Sequence, residues 1–164
     1  MTITGVRVEL PSNTPLVLLQ EQGGARFLPI WVGPTEALAI SSAMEGIVAP
    51  RPQTHDLMAD VLRVLGVILE KVVVTELNDN VFYAELHLLT DRGREVVSSR
   101  PSDGIALAVR TGAPVFASPA VLDAAGIELG EEDEEATIAK FREALEDVTA
   151  EDFIDPNQDS EPES

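Results

Sequence analysis

Two long runs of alternating residues, VILEKVVVTEL (67–77) and NVFYAELHLL (80–89), meet at Asn78-Asp79-Asn80. No other feature limits the fold as strongly. Period-two alternation puts successive side chains on opposite faces, and Asn and Asp accept turn geometry, so the pair predicts an antiparallel hairpin. Phe82, Ala84, Leu86 and Leu88 share one face of the second strand, with Tyr83, Glu85 and His87 on the other. A two-stranded hairpin is marginal in water and needs partners for its apolar face.

The flanking sequence supplies those partners. Strand-like spacing recurs over 2–10, 16–20 and 26–32, with a turn at Gln22-Gly23-Gly24. Pro29 in the third of these strands predicts an edge position or a bulge, because proline cannot donate to a ladder. At Gly33-Pro34 the period changes and a helix is expected to run to about Glu45 and stop at Gly46. A proline-rich connector (49–53) leads to a second helix, 54–66, with Thr54 as N-cap and Leu57, Val61, Val64 and Leu65 as its core-facing stripe. Further on come a strand (93–99), a helix (102–112) capped by Ser102, a strand (113–118) and a short helix (119–127). Strands in runs with helices inserted, rather than strict alternation, predict an α+β domain. Its sheet is expected to be largely antiparallel or mixed, with helices packed on it.

After Gly130 the composition changes. Residues 131–154 form an acidic helical segment, with Ile138, Phe141, Leu145 and Val148 as a narrow apolar stripe suited to a protein partner. Residues 155–164 have nothing to bury and are expected to be disordered. The reading is therefore a domain over 1–130, an acidic helix over 131–154 and a tail over 155–164.

Charge and composition narrow the function classes. The net charge is −18, yet fifteen acids against two bases lie in 128–164, leaving the body with fourteen acids and nine bases. Nucleic-acid affinity rests on basic contacts, so a mildly acidic body counts against tight binding of long polynucleotides. Cysteine is absent, which excludes disulfides, thiolate metal sites and a cysteine nucleophile. Neither a signal-like leader nor an apolar run of spanning length is present, so no membrane association and a cytoplasmic location are expected.

Familiar catalytic motifs are missing: there is no phosphate-binding glycine loop, no H-E-x-x-H and no G-x-S-x-G. Asp79 with Glu85 and His87 faintly suggests a nuclease carboxylate set, but Asp79 is better explained by the turn. The polar residues that stand out open helices. Glu36 lies in the first turn of the first helix; Thr54, His55 and Asp56 open the second, just after Arg51; Arg100, Ser102 and Asp103 open another. Capping and helix-dipole effects account for most of these taken singly. They do not account for His55, nor for two arginines each followed by proline. If the helix mouths converge, the inventory suits phosphodiester chemistry. Glu36, Asp56 and Asp103 would hold a divalent cation such as Mg²⁺ or Mn²⁺. Arg51 and Arg100 would clamp phosphate beside Thr54 and Ser102, and His55 would move a proton, with Asp56 and Asp103 completing the catalytic set.

Three stretches in this order, FLPIWVGPTEALAI (27–40), RPQTHDL (51–57) and RPSDGIALAVR (100–110), with FYAELHL (82–88) between the last two, resemble the bifunctional nuclease domain family. The resemblance spans roughly residues 3–127. It implies a compact α+β domain, often dimeric, with nuclease activity on RNA and DNA in some members. It also implies a shared site lined by Glu36, Arg51, Thr54, His55, Asp56, Arg100, Ser102 and Asp103. One departure is Gly104, where the family's stretch usually reads alanine. The reading from the residues themselves leaves two functions open. One is a metal-assisted phosphodiesterase acting on RNA or DNA. The other is a non-catalytic regulatory or protein-binding module whose helix-mouth cluster is structural or binds a small anion.

Overall fold

The computed structural model describes residues 1–128. The hairpin read from 67–89 forms as β4 (Ile68–Asn78) and β5 (Val81–Thr90). Asn78 pairs with Val81, so only Asp79 and Asn80 make the loop, with φ of 47° and 62°. Two central residues at positive φ give the turn twist that matches paired strands, which accounts for Asp79 without chemistry. The other elements are β1 (Thr2–Glu9), β2 (Thr14–Gln20), β3 (Arg26–Trp31), α1 (Pro34–Met44), α2 (Thr54–Val64), β6 (Gly93–Ser99), α3 (Pro101–Thr111), β7 (Val115–Ala117), α4 (Pro119–Ala125) and β8 (Ile127–Glu128).

The architecture is α+β, with the strands divided between two four-stranded sheets, β1-β2-β3-β8 and β6-β5-β4-β7. All pairings are antiparallel except that of β7 with β4. Pro29 is tolerated because β8 pairs only with Arg26 and Phe27, so β3 has a free edge where the proline sits. One core joins the layers. Val17, Leu19, Leu28 and Ile30 come from the first sheet, Val72, Val74 and Leu86 from the second, and Ile40, Ile105 and Leu107 from helices.

Helices α1 and α2 end alike. Gly46 and Gly66 adopt φ of +69° and +68°. The next residues donate back into the last turn, Ile47 N–H to Ser42 O and Val67 N–H to Leu62 O, each at 2.9 Å. Both carbonyls are thereby satisfied, and glycine takes the left-handed position at no steric cost.

Two expectations are corrected. Thr54 and Ser102 do not cap their helices: Gln53 and Arg100 hold the N-cap positions, and Pro101 opens α3. Proline suits that first position because its missing N–H would be unpaired anyway. The expected core stripe of α2 faces outward instead, with Leu57, Val61, Val64 and Leu65 all exposed, while His55 and Ala59 turn inward. A polar residue occupies the buried face because it finds a partner there. The acidic segment 131–154 and the tail 155–164 lie outside the described residues.

Candidate active site

Three helices begin near one another, and a chain of charged contacts ties their first turns together. Asp103, in the first turn of α3, binds Arg100 in bidentate fashion, Nε to Oδ2 at 2.7 Å and Nη2 to Oδ1 at 2.9 Å. Arg100 Nη1 reaches Oε1 of Glu36, in the first turn of α1, at 3.1 Å. His55, near the start of α2, places Nε2 at 3.1 Å from Asp103 Oδ1. Glu36, Arg100, Asp103 and His55 thus form one continuous network.

The histidine is buried and Asp103 partly so, whereas Arg100 is mostly exposed. The Arg100 guanidinium, more than the His55 ring, holds the Asp103 carboxyl below the usual carboxylate range, against the opposing effect of burial. An ionised carboxylate only accepts hydrogen bonds, so the shared proton belongs to His55 Nε2. An imidazole of that tautomer carries its lone pair on Nδ1. Arg100 spends three N–H groups on carboxylates and keeps two free.

These residues line a groove of about 800 Å³. Glu36, Thr54, His55, Arg100 and Asp103 give it polar character, while Leu38, Met58, Leu86 and Val97 form apolar walls. Of the residues singled out in the sequence, Asp56, Ser102 and Arg51 stand apart. Asp56 accepts from Arg110 Nε at 2.6 Å and from the Gln53 backbone N–H at 2.9 Å, both of which lower its pKa, Arg110 the more. Ser102 is buried, and Arg51 is exposed with no ion pair among the described residues.

The proposed cation ligands can be tested against this arrangement. Glu36 and Asp103 converge on a guanidinium, and Asp56 faces a different one. Among the described residues no three His, Asp or Glu side chains gather into a set that could hold a metal ion. The donors present do not fit a resident Mg²⁺ or Mn²⁺.

Three contributors escaped the sequence reading. Arg110 crosses from α3 to Asp56 and also donates to the carbonyls of Ala39 and Ala106, at 3.1 and 2.9 Å. It lies seven residues after Asp103, two helical turns along the same face, which was the available signal. Ser99 lines the groove with its Oγ buried and unpartnered. Nothing in the local sequence distinguishes it from Ser98. The apolar walls formed by Leu38 and Met58 carry no motif at all.

Fold and groove together define an α+β domain carrying a carboxylate-oriented histidine beside a guanidinium. The model of the bifunctional nuclease domain matches residues 17–130, and the chain belongs to that family. An uncharacterized protein of Mycobacterium tuberculosis is 45% identical over 159 residues, covering 92% of this chain and 95% of its own. Bifunctional nuclease 1 of Oryza sativa subsp. japonica is 29% identical over 103 residues, 61% of this chain and 31% of that protein. Bifunctional nuclease 2 of Arabidopsis thaliana is 30% identical over 112 residues, 65% of this chain and 34% of that protein. The aligned part therefore makes up about a third of each plant relative's length. No helix among the described residues is long and apolar enough to cross a membrane.

Proposed function

We propose that this protein is a nuclease that hydrolyses phosphodiester bonds in RNA or DNA, with the groove beside His55 as its active site. The observation that carries the reading is the contact of His55 Nε2 with Asp103 Oδ1 at 3.1 Å, in a groove that also presents Arg100. The free N–H groups of Arg100 bind a non-bridging phosphate oxygen. A water molecule attacks phosphorus and gives a proton to His55 Nδ1. The bond from phosphorus to the water oxygen forms as the bond to the leaving oxygen breaks, and the imidazolium returns a proton to that oxygen. Asp103 holds the ring in the right tautomer and stabilises its charged form, as a carboxylate beside a catalytic histidine does. Thr54, at the groove rim, is a further hydroxyl within the same surface.

A second reading, a non-catalytic module that binds a protein or a small anion, draws on the pairing of five of the body's nine cations with carboxylates. Arg26, Arg63, Arg94, Arg100 and Arg110 are all in ion pairs. One experiment separates the two. Purified protein is incubated with labelled RNA and DNA in Mg²⁺, Mn²⁺ or EDTA, beside His55→Ala and Asp103→Asn. Cleavage lost in both variants supports the site. Equal cleavage by all three proteins means contamination and sinks it, and no cleavage by any favours the binding module. The EDTA arm decides whether an added metal is needed.

A further inference from the structure

The groove beside His55 is charged in one part and apolar in another. Glu36, Arg100 and Asp103 bring charge at the helix mouths. Leu38 on α1, Met58 on α2 and Val97 on β6 bring large apolar side chains that are 62, 39 and 47% exposed, and buried Leu86 adds to them. Three elements thus each turn an exposed apolar side chain into one concavity, which is the pattern of a ligand site. The volume of about 800 Å³ lies in the range that encloses a small molecule rather than a polymer.

Cations near the groove are few. Arg100 is the only arginine or lysine that lines it. Among the described residues Arg7, Arg51, Lys71 and Arg92 make no ion pair, and their places differ. Arg7 belongs to β1, in the sheet that contributes nothing to the groove wall. Lys71 pairs with His87, and alternation turns both away from the face of Leu86. Arg92 precedes β6 and lies roughly 16 Å of strand from Val97. Arg51 alone, next to Pro52 of the groove wall, can join Arg100. A strand in the groove therefore gains two phosphate contacts at most.

We infer that the groove recognises a dinucleotide unit of single-stranded nucleic acid, and that a strand of two or three nucleotides is a complete ligand. Arg100 takes the phosphodiester through its free N–H groups, and an unpaired base lies against Leu38, Met58 and Val97. The Met58 thioether packs well on an aromatic ring. Proteins that hold long strands repeat basic contacts and aromatic platforms along the strand. No aromatic side chain lines this groove and its cations end at two, so further nucleotides add nothing. A duplex is excluded for a separate reason. Its bases are stacked and paired, which leaves the apolar wall facing sugar and phosphate. The inference rests on the nuclease reading and gives that activity a substrate class.

The test is a length series. Phosphorothioate adenylate strands of two, three, six and twenty nucleotides, which resist hydrolysis, are titrated into the full chain by calorimetry. Ribose and deoxyribose series run side by side to tell RNA from DNA. A longer strand offers more overlapping dinucleotide steps, so affinities are compared per step. They should agree within about threefold across the series, and log K against log salt should have a slope of about −0.7 to −1.4, the value for one or two phosphate contacts. Met58→Glu should weaken dinucleotide binding at least tenfold with an unchanged far-ultraviolet dichroism spectrum. Should it fail to fold, Leu38→Glu, at the more exposed position, reads the same contact. A per-step affinity that rises about tenfold or more toward twenty nucleotides overturns the inference, as does a salt slope steeper than about −3. So does a duplex that binds as well as the single strand, or dinucleotide binding untouched by the folded variant. Unmodified strands incubated in parallel test the nuclease reading separately. Cleavage of long strands with no binding or cleavage of dinucleotides overturns this inference and leaves the nuclease reading standing. Dinucleotide binding with no cleavage of any strand removes the nuclease reading and supports the site. No binding of any strand up to about 1 mM, with no cleavage, overturns both.

Discussion

His55 Nε2 sits 3.1 Å from Asp103 Oδ1, although 48 residues separate them. The contact joins the first turn of α2 to the first turn of α3 and places a buried imidazole against a carboxylate that Arg100 keeps ionised. On the proposed reaction, His55→Ala would remove the proton acceptor and should lower kcat by about 10²–10⁴-fold with little change in KM, the usual scale for general acid–base catalysis. On the same reaction, Arg100→Ala should act on KM as well, because the phosphate contact proposed for it would be lost. Steady-state kinetics on a defined oligonucleotide distinguish the two, and a His55→Ala enzyme of wild-type kcat would remove this residue from the chemistry.

Arg110 ties α3 to α1 and α2. Its mostly buried guanidinium satisfies Asp56 and two backbone carbonyls at once. Arg110→Met keeps much of the side-chain bulk but removes the guanidinium bonds to Asp56 and to the two carbonyls, leaving Asp56 with only the Gln53 N–H. The expected loss is about 2 kcal/mol, reduced because Asp56 is partly solvated, or roughly 4–8 °C in Tm. Differential scanning calorimetry reads it directly, and a Tm within 1 °C of wild type would show that the contact is idle.

Gly104 is explained by close packing. A Cβ placed there would lie 2.7 Å from Cγ1 of Val72, a fully buried side chain with no room to retreat. Alanine would improve helix propensity by about 0.5–1 kcal/mol, while overpacking a core position costs about 1–3 kcal/mol. The second effect is larger, so Gly104→Ala should destabilise by roughly 1 kcal/mol. Pairing it with Val72→Ala should recover part of the loss by opening space for the new methyl. A higher Tm for the single variant would show that the helix term wins.

Asp56 and Asp103 both have pKa values below the ordinary one near 4, Asp56 chiefly through Arg110 and Asp103 chiefly through Arg100. A carboxyl depressed in the folded state binds its proton more readily when unfolded. Its contribution is therefore complete above about pH 4–5 and is lost as pH falls through the lower native value. Denaturant midpoints should stay level from neutral pH to about 5 and then fall. For Asp103→Asn the fall below pH 4 should be shallower, since one of the depressed groups is gone. Parallel curves for the two proteins would show that Asp103 contributes nothing to acid sensitivity.

Much of the fold was legible because its signals are local. Alternation in 67–89 with a turn at Asn78-Asp79-Asn80 is enough to specify a hairpin, and Pro34 marks a helix start through a constraint on a single residue. The division into two sheets was not legible, because pairings such as β4 with β7 join segments some forty residues apart. The candidate site was half legible. Residue types at helix mouths drew attention to Glu36, His55, Arg100 and Asp103, but the same pattern also drew in Asp56 and Ser102, which face elsewhere.

Helix α2 shows where the boundary lies. Its sequence by itself determined that a helix begins at Thr54 and carries a strong apolar stripe, since both follow from spacing along the chain. Only the tertiary structure decided that this stripe faces away from the core and that His55 faces in. Burying an imidazole is favourable only where a fixed partner offsets its desolvation, and that partner, Asp103, reaches it through packing between distant helices. Periodicity reports that a helix has two unlike faces. Which face the protein keeps for itself depends on what waits on the other side.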